Sequence, residues 1–191
     1  MKILVTYALD EECAGVTFAW HDVSVLMTGV GKVASAARLM QRLASSRQDL
    51  VVNVGTAGSV RHEVGEIVLC DRFEDRDLKA TRLPGLAFEL DCSSDAARCV
   101  SSRCPYVRGK CSTGDSFVTE ACGDGCDVYD MEAYSQAYVC RMMGVPFVSV
   151  KYVTDRIGHN SVKHWADKLA DARRDLARVF EPGMLLDLPS L

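Results

Sequence analysis

Residues 50–60 read LVVNVGTAGSV. Leu50, Val51, Val52 and Val54 make a short valine-rich run of the kind found in strands buried on both faces. The run ends at Gly55, and Thr56, Ala57, Gly58 and Ser59 follow, small residues that let another group approach the backbone closely. A plain turn uses the same residue types, so on this stretch alone both readings stand. The buried strand carries the first conclusion, because a strand without a polar face must be covered on both sides.

The flanking segments supply the cover. KILVTY (residues 2–7) is a short β-rich run, and GVTFAW (15–20) with DVSVLMT (22–28) reads as two strands joined by a tight turn at His21-Asp22. After TGVGK, residues 33–45 place apolar side chains at helical spacing. GEIVLCDRF reads as another strand, and residues 76–93 as irregular and polar, with a turn at Pro84-Gly85. A short helix is expected over 94–102, then a strand running into a loop in YVRGKCSTGDSFV, and a helix from about residue 131. VPFVSVKYVTD is a strong buried strand, and SVKHWADKLADARRDLARVF an amphipathic helix with Trp165, Leu169, Ala172 and Leu176 on one face. Strands alternating with helices predict an α/β domain, helices on both faces of a mixed sheet, with residues 1–191 forming one domain.

Composition narrows the function classes. The chain is 48% hydrophobic and 25% charged, the balance of an ordinary globular protein. A net charge of -4 with scattered Lys and Arg argues against nucleic acid or an anionic membrane as partner. No apolar run reaches the ~18 residues of a membrane span. The start MKILVTYALDEE reads as a first strand rather than a signal peptide, so a cytoplasmic location is expected. Nine cysteines and four histidines give no convincing metal-ligand spacing, and Cys70, Cys111 and Cys140 lie in apolar segments where a thiol behaves as a small hydrophobe. No metal and no cofactor is expected.

In α/β sheets ligands gather beyond the carboxyl ends of strands. Here those ends read ALDEE, TGVGK, GTAGSV, TGDSFV and TDRIG, each polar, acidic or glycine-rich. Each also has a purely structural reading. Helix capping accounts for the glycines of TGVGK, whose spacing is not that of a phosphate loop. Asp155 can cap the next segment, the acids at 10–12 suit a helix start, and Phe117 can be core. Asp130 and Glu132 in VYDMEAYSQAYVC fit a capped helix equally well.

In order, ALDEE, TGVGKVASA, NVGTAGSV, VGEIVLCD, TGDSFV, YDMEAYSQAYVC and VPFVSVKYVTD resemble the nucleoside phosphorylase and nucleosidase superfamily, closest to its 5′-methylthioadenosine/S-adenosylhomocysteine nucleosidases. The resemblance covers residues 1 to about 180. It implies a three-layer α/β/α sandwich around a mixed, partly closed sheet, a small-molecule purine nucleoside as substrate, and a homodimer. It also implies site residues. Glu12 matches the base that activates water, and Asp155 the acid that protonates the purine at N7. Glu132 matches the carboxylate on the ribose hydroxyls and Met131 the residue packed on the sugar. Phe117 matches the residue stacked on the base, and the Val118 backbone the group that reads the base edge. Thr56, Ala57 and Gly58 match the wall beside the glycosidic bond.

The chemistry suits those residue types. Cleavage passes through an oxocarbenium-like state in which one carboxyl group protonates the leaving group and another activates water. A carboxyl that donates a proton near neutrality needs a raised pKa, and desolvation at a strand end is one source. A carboxylate on the sugar hydroxyls favours developing positive charge. Two departures bear on specificity. The segment FEDRDLKATRLPGLAFELDC is shorter than its counterpart in the family, which leaves the 5′ substituent open. Three acids follow the first strand where phosphorylases carry arginine, favouring hydrolysis, although Arg61 and Lys32 keep phosphate-dependent cleavage as an alternative. Futalosine hydrolase, where Asn would be expected at position 155, and a nucleoside-binding protein without turnover are the others.

Overall fold

The structure, a computed structural model, describes residues 1–13, 21–120, 123, 125–158 and 161–186, with only the backbone described at 161–167. Strand β1 (Lys2–Tyr7) leads into a 3-10 turn at Asp10–Glu12, then β2 (Asp22–Met27), helix α1 (Lys32–Ser45), β3 (Leu50–Ser59) and β4 (Ile67–Asp75). Next come α2 (Arg76–Thr81), β5 (Glu89–Asp91), α3 (Ser93–Cys99), β6 (Val107–Thr113), β7 (Val128–Asp130), α4 (Ala133–Met143), β8 (Phe147–Arg156) and α5 (Ser161–Arg178).

The strands form one mixed sheet in the order β2-β1-β3-β7-β6-β4-β5, and β8 pairs with both β3 and β4. That double pairing closes β3, β8, β4, β6 and β7 into a ring, from which β1 and β2 continue on one side and β5 on the other. Eight of the ten residues of β3 and nine of the ten in β8 are buried, as their aliphatic runs predict. Side chains alternate between two cores. Ile3, Val5, Leu50 and Val52 pack with Ala96 of α3 and Ala172 and Leu176 of α5. Leu4 and Val51 pack with Leu39 and Leu43 of α1 and Ala133 and Ala137 of α4. Helices therefore cover both faces, and the fold is the three-layer α/β/α sandwich with a partly closed sheet.

β3 and β8 run parallel, with Ala57 opposite Val153 but Gly58 opposite Asp155, so Thr154 is the extra residue of a bulge. The middle of the sheet also holds a buried polar string. Thr6 Oγ1 donates to Gln136 Oε1 at 2.6 Å, and Ser149 Oγ to Asn53 Oδ1 at 2.7 Å.

Two sequence expectations differ from the fold. Residues 76–93 are not irregular: they contain α2 and β5. The first turn of α2 is held by Asp75, whose carboxylate accepts from the Asp77 and Leu78 amides at 3.0 Å each. None of its residues is buried, so no apolar period marked it. β7 is only three residues long and runs straight into the helix start, which hid it inside the helical pattern. Residues 15–20 lie outside the described residues, as does the side chain of Trp165; residues 22–27 form β2, whose described partner is β1, in parallel.

Candidate active site

Glu12 sits where β1 runs out. The 3-10 turn brings its side chain back over β3, and Oε1 accepts from the Thr56 amide at 2.9 Å and the Thr56 hydroxyl at 2.7 Å. Gly55 makes room: a β-carbon there would lie 3.3 Å from the same oxygen.

Asp155 reaches the same neighbourhood from β8. The bulge sets it opposite Gly58, and the Thr154 hydroxyl donates to its Oδ1 at 2.9 Å. A β-carbon on Gly58 would stand 2.9 Å from Asp155 Oδ2 and 3.2 Å from Ile157. The small residues after the valine run are therefore the floor on which two carboxylates rest, and the turn reading of GTAGSV gives way to a strand that continues to Ser59.

Asp130 and Glu132 separate in role although both are buried. Asp130 Oδ2 receives the Ala133 amide at 2.8 Å, at the first residue of α4, and the Lys151 ammonium at 2.8 Å; Oδ1 receives the Thr113 hydroxyl at 2.5 Å. Burial opposes the Asp130 charge, but Lys151 and these donors outweigh it and hold the carboxyl below its ordinary range. Both residues line the cavity, but Glu132 has a different partner, its Oε1 accepting the Gly31 amide at 2.8 Å. Burial, then repulsion from Asp130, raises its pKa from 4.5 to about 7, against the pull of Lys151 and the Gly31 amide.

The loop after β6 completes the wall with Phe117, which is 43% exposed, and the half-buried Val118. Arg76 of α2 clamps this loop. Its guanidinium donates to the carbonyls of Ser112 at 2.8 Å, Asp130 at 2.9 Å, Gly114 at 3.0 Å and Ser116. Gly114 is needed there, since a β-carbon would lie 2.6 Å from Arg76 Nε. Sequence reasoning missed Arg76: a single arginine in a polar stretch carries no periodicity, and the glycine of TGDSFV was the only trace of its partner. Asp115 of the same loop accepts the Lys32 amide at 2.7 Å, and its own amide donates to Asp77 at 2.9 Å. The Lys32 ammonium pairs with Asp75 at 2.9 Å and Asp77 at 2.7 Å. Arg61 lies against Asp127 at 3.4 Å and does not line the cavity.

The result is a cavity of about 260 Å³. Glu12, Thr56, Ala57, Gly58, Phe117, Val118, Met131, Glu132 and Asp155 all line it, joined by Arg76, Thr154 and Ile157. Among the described residues no group of three or more His, Cys, Asp or Glu could hold a metal ion, and no helix is long and apolar enough to cross a membrane.

A family model described as Phosphorylase superfamily matches residues 12–182. Among solved structures, the S-adenosylhomocysteine nucleosidase from Streptococcus pyogenes, in complex with 5-methylthiotubericidin, is 20% identical, with 94% of each chain covered and a TM-score of 0.75. The 5′-methylthioadenosine/S-adenosylhomocysteine nucleosidase from S. pneumoniae is 21% identical over 94% of this chain and 96% of that one, with a TM-score of 0.77. The futalosine hydrolase of Helicobacter pylori is 18% identical over 93% and 94%, with a TM-score of 0.76. These similarities share one fold, and with the family match spanning nearly the whole sequence, this chain belongs to the phosphorylase superfamily.

Proposed function

We propose that the protein is a purine nucleosidase that hydrolyses the N-glycosidic bond of a 5′-substituted adenine nucleoside, of the 5′-methylthioadenosine or S-adenosylhomocysteine type. One observation carries this reading: three carboxylates from distant parts of the chain, Glu12, Glu132 and Asp155, converge on a single cavity. In the proposed reaction the base stacks on Phe117, with its edge at the Val118 backbone, and Glu132 holds the ribose hydroxyls over Met131. Asp155 gives its proton to N7 as the glycosidic bond lengthens, so electrons move into a neutral leaving base. Glu12 takes a proton from the water that attacks the sugar carbon, and the carboxylates offset the charge growing on the ribose.

Hydrolysis rather than phosphorolysis is supported by what fills the glycine-rich start of α1. The amides of Gly31 and Lys32, which could otherwise cradle an anion, donate to Glu132 and Asp115, and the Lys32 ammonium is engaged by two aspartates. Arg76 is the one Lys or Arg side chain lining the cavity among the described residues, and it donates to four backbone carbonyls. The similarity to a futalosine hydrolase keeps a 6-oxopurine nucleoside as the competing substrate. The deciding experiment incubates the protein with methylthioadenosine, adenosylhomocysteine, inosine and futalosine, with and without phosphate. Adenine release independent of phosphate is expected. No base from any substrate would sink the enzyme reading, release only with phosphate would sink hydrolysis, and hypoxanthine-type release from futalosine alone would move the assignment to that substrate.

A further inference from the structure

Lys151 has no part in the chemistry above and does not line the cavity, yet it is 1% exposed in the middle of β8. Its ammonium lies 2.8 Å from Asp130 Oδ2. That same oxygen accepts the backbone amides of Glu132 at 3.3 Å and Ala133 at 2.8 Å, while Thr113 fixes the other oxygen. The peptide that carries Glu132 is thus held by an aspartate that is itself held by the lysine. We propose that Lys151 is a positioning residue for the sugar site, acting through Asp130 to keep the Glu132 carboxylate charged and aimed at the ribose hydroxyls.

The charge count around Glu132 explains why a cation is required. Asp130 on β7 and Glu12 on the 3-10 turn repel it, Lys151 on β8 attracts it, and the Gly31 amide donates to it. Lys151 in turn faces Asp130, Glu132 and the Cys111 thiol of β6; burial opposes its charge, but these groups overcome the penalty and hold its pKa above the ordinary value. Without the lysine, two acids two residues apart would share a buried space with no counter-charge, and the pair would surrender its second proton only at higher pH.

This inference rests on the nucleosidase reading, so its test has one readout that needs no turnover. NMR titration of the labelled glutamate carboxyls in the unliganded protein should show the upper step of the Asp130–Glu132 pair near 7. In Lys151→Gln that step should rise by about one unit or more, and the pH profile of KM should rise with it while kcat at high pH is retained. Lys151→Arg should restore both. Should Lys151→Gln fail to fold, the double variant Lys151→Gln/Asp130→Asn removes both charges, and the Glu132 step should fall below its wild-type position. An unmoved step in either variant overturns the proposal. A moved step in a protein that releases no base overturns the proposed function and leaves the coupling of Lys151 to Glu132 standing.

Discussion

Two glycine-rich segments border the cavity, Gly29–Lys32 leading into the first residue of α1 and Gly55–Gly58 near the end of β3, and their glycines serve different ends. Gly29 and Gly31 adopt φ of 78° and 91°, and the ψ of Gly31, 161°, places it in a region that is essentially closed to other residues. Gly55 and Gly58 have no positive φ; they supply space, with carboxylate oxygens at 3.3 and 2.9 Å from where a β-carbon would stand. The first segment needs glycine for its backbone, and at Gly31 also for Asp115 Oδ1, 3.1 Å from where a β-carbon would stand; the second needs it for its neighbours alone. In both, the exposed amides are taken by carboxylates, Glu132 and Asp115 in the first and Glu12 in the second.

The sharpest way to break the comparison is to leave the glycines alone and neutralise what they admit. Asp155→Asn and Glu12→Gln keep shape, but the first can no longer give a proton and the second can no longer take one, and kcat for methylthioadenosine should fall by about 10²–10⁴ in each. A near-normal rate removes that residue from the mechanism. Gly58→Ala should come next, since the new methyl displaces Asp155; a loss of about 10²-fold in kcat is expected with little change in the urea midpoint. Gly31→Ala should do the reverse, costing about 1–3 kcal/mol of stability through its backbone while raising KM through Glu132. If both alanine variants lost stability and rate in the same proportion, the division between backbone and space would be wrong.

A smaller effect concerns pH. Glu132 holds its proton more tightly when folded, near 7, than its ordinary value of 4.5 allows in the unfolded chain. The folded state therefore binds more protons between those values, and the stability this residue contributes at low pH is lost as pH rises from about 4.5 to about 7. In the proposed reaction the ionised form of Glu132 holds the ribose, so KM should fall over the upper part of the same window. Glu132→Gln should flatten the stability change, and an unchanged slope in urea titrations from pH 4 to 8 would assign the effect elsewhere.

What could be read in the sequence follows from what leaves a pattern. β3, β8 and α5 announced themselves because burying a whole strand or one helix face demands a run or a period. α2 did not, because apart from Leu78 against the core it is held by the Asp75 cap and by the ion pairs of Asp77 and Lys79. The nine candidate site residues came from an ordered family likeness; spacing alone left Glu12, Glu132 and Asp155 as plausible caps. Asp130 is such a cap, and only its contact with Lys151, twenty-one residues on, distinguishes its role from that of Glu132. Arg76 and Lys151 stayed hidden for one reason: each acts by contacts across the sheet that no local window contains.

The bulge in β8 has a consequence for how this site could change. In a regular ladder, consecutive residues point to opposite faces, so a hydroxyl and a carboxyl adjacent in sequence would never meet. Here both Thr154 and Asp155 line the cavity, joined at 2.9 Å, because between the pairs Val51–Phe147 and Ser59–Arg156 β8 has one residue more than β3. The orientation of the proposed acid is therefore written in the length of a strand. Loss of a single codon at position 154 would restore the regular ladder, leave Asp155 opposite Gly58 and strip it of its hydroxyl donor, and no exchange of side chains elsewhere would supply the missing residue of backbone.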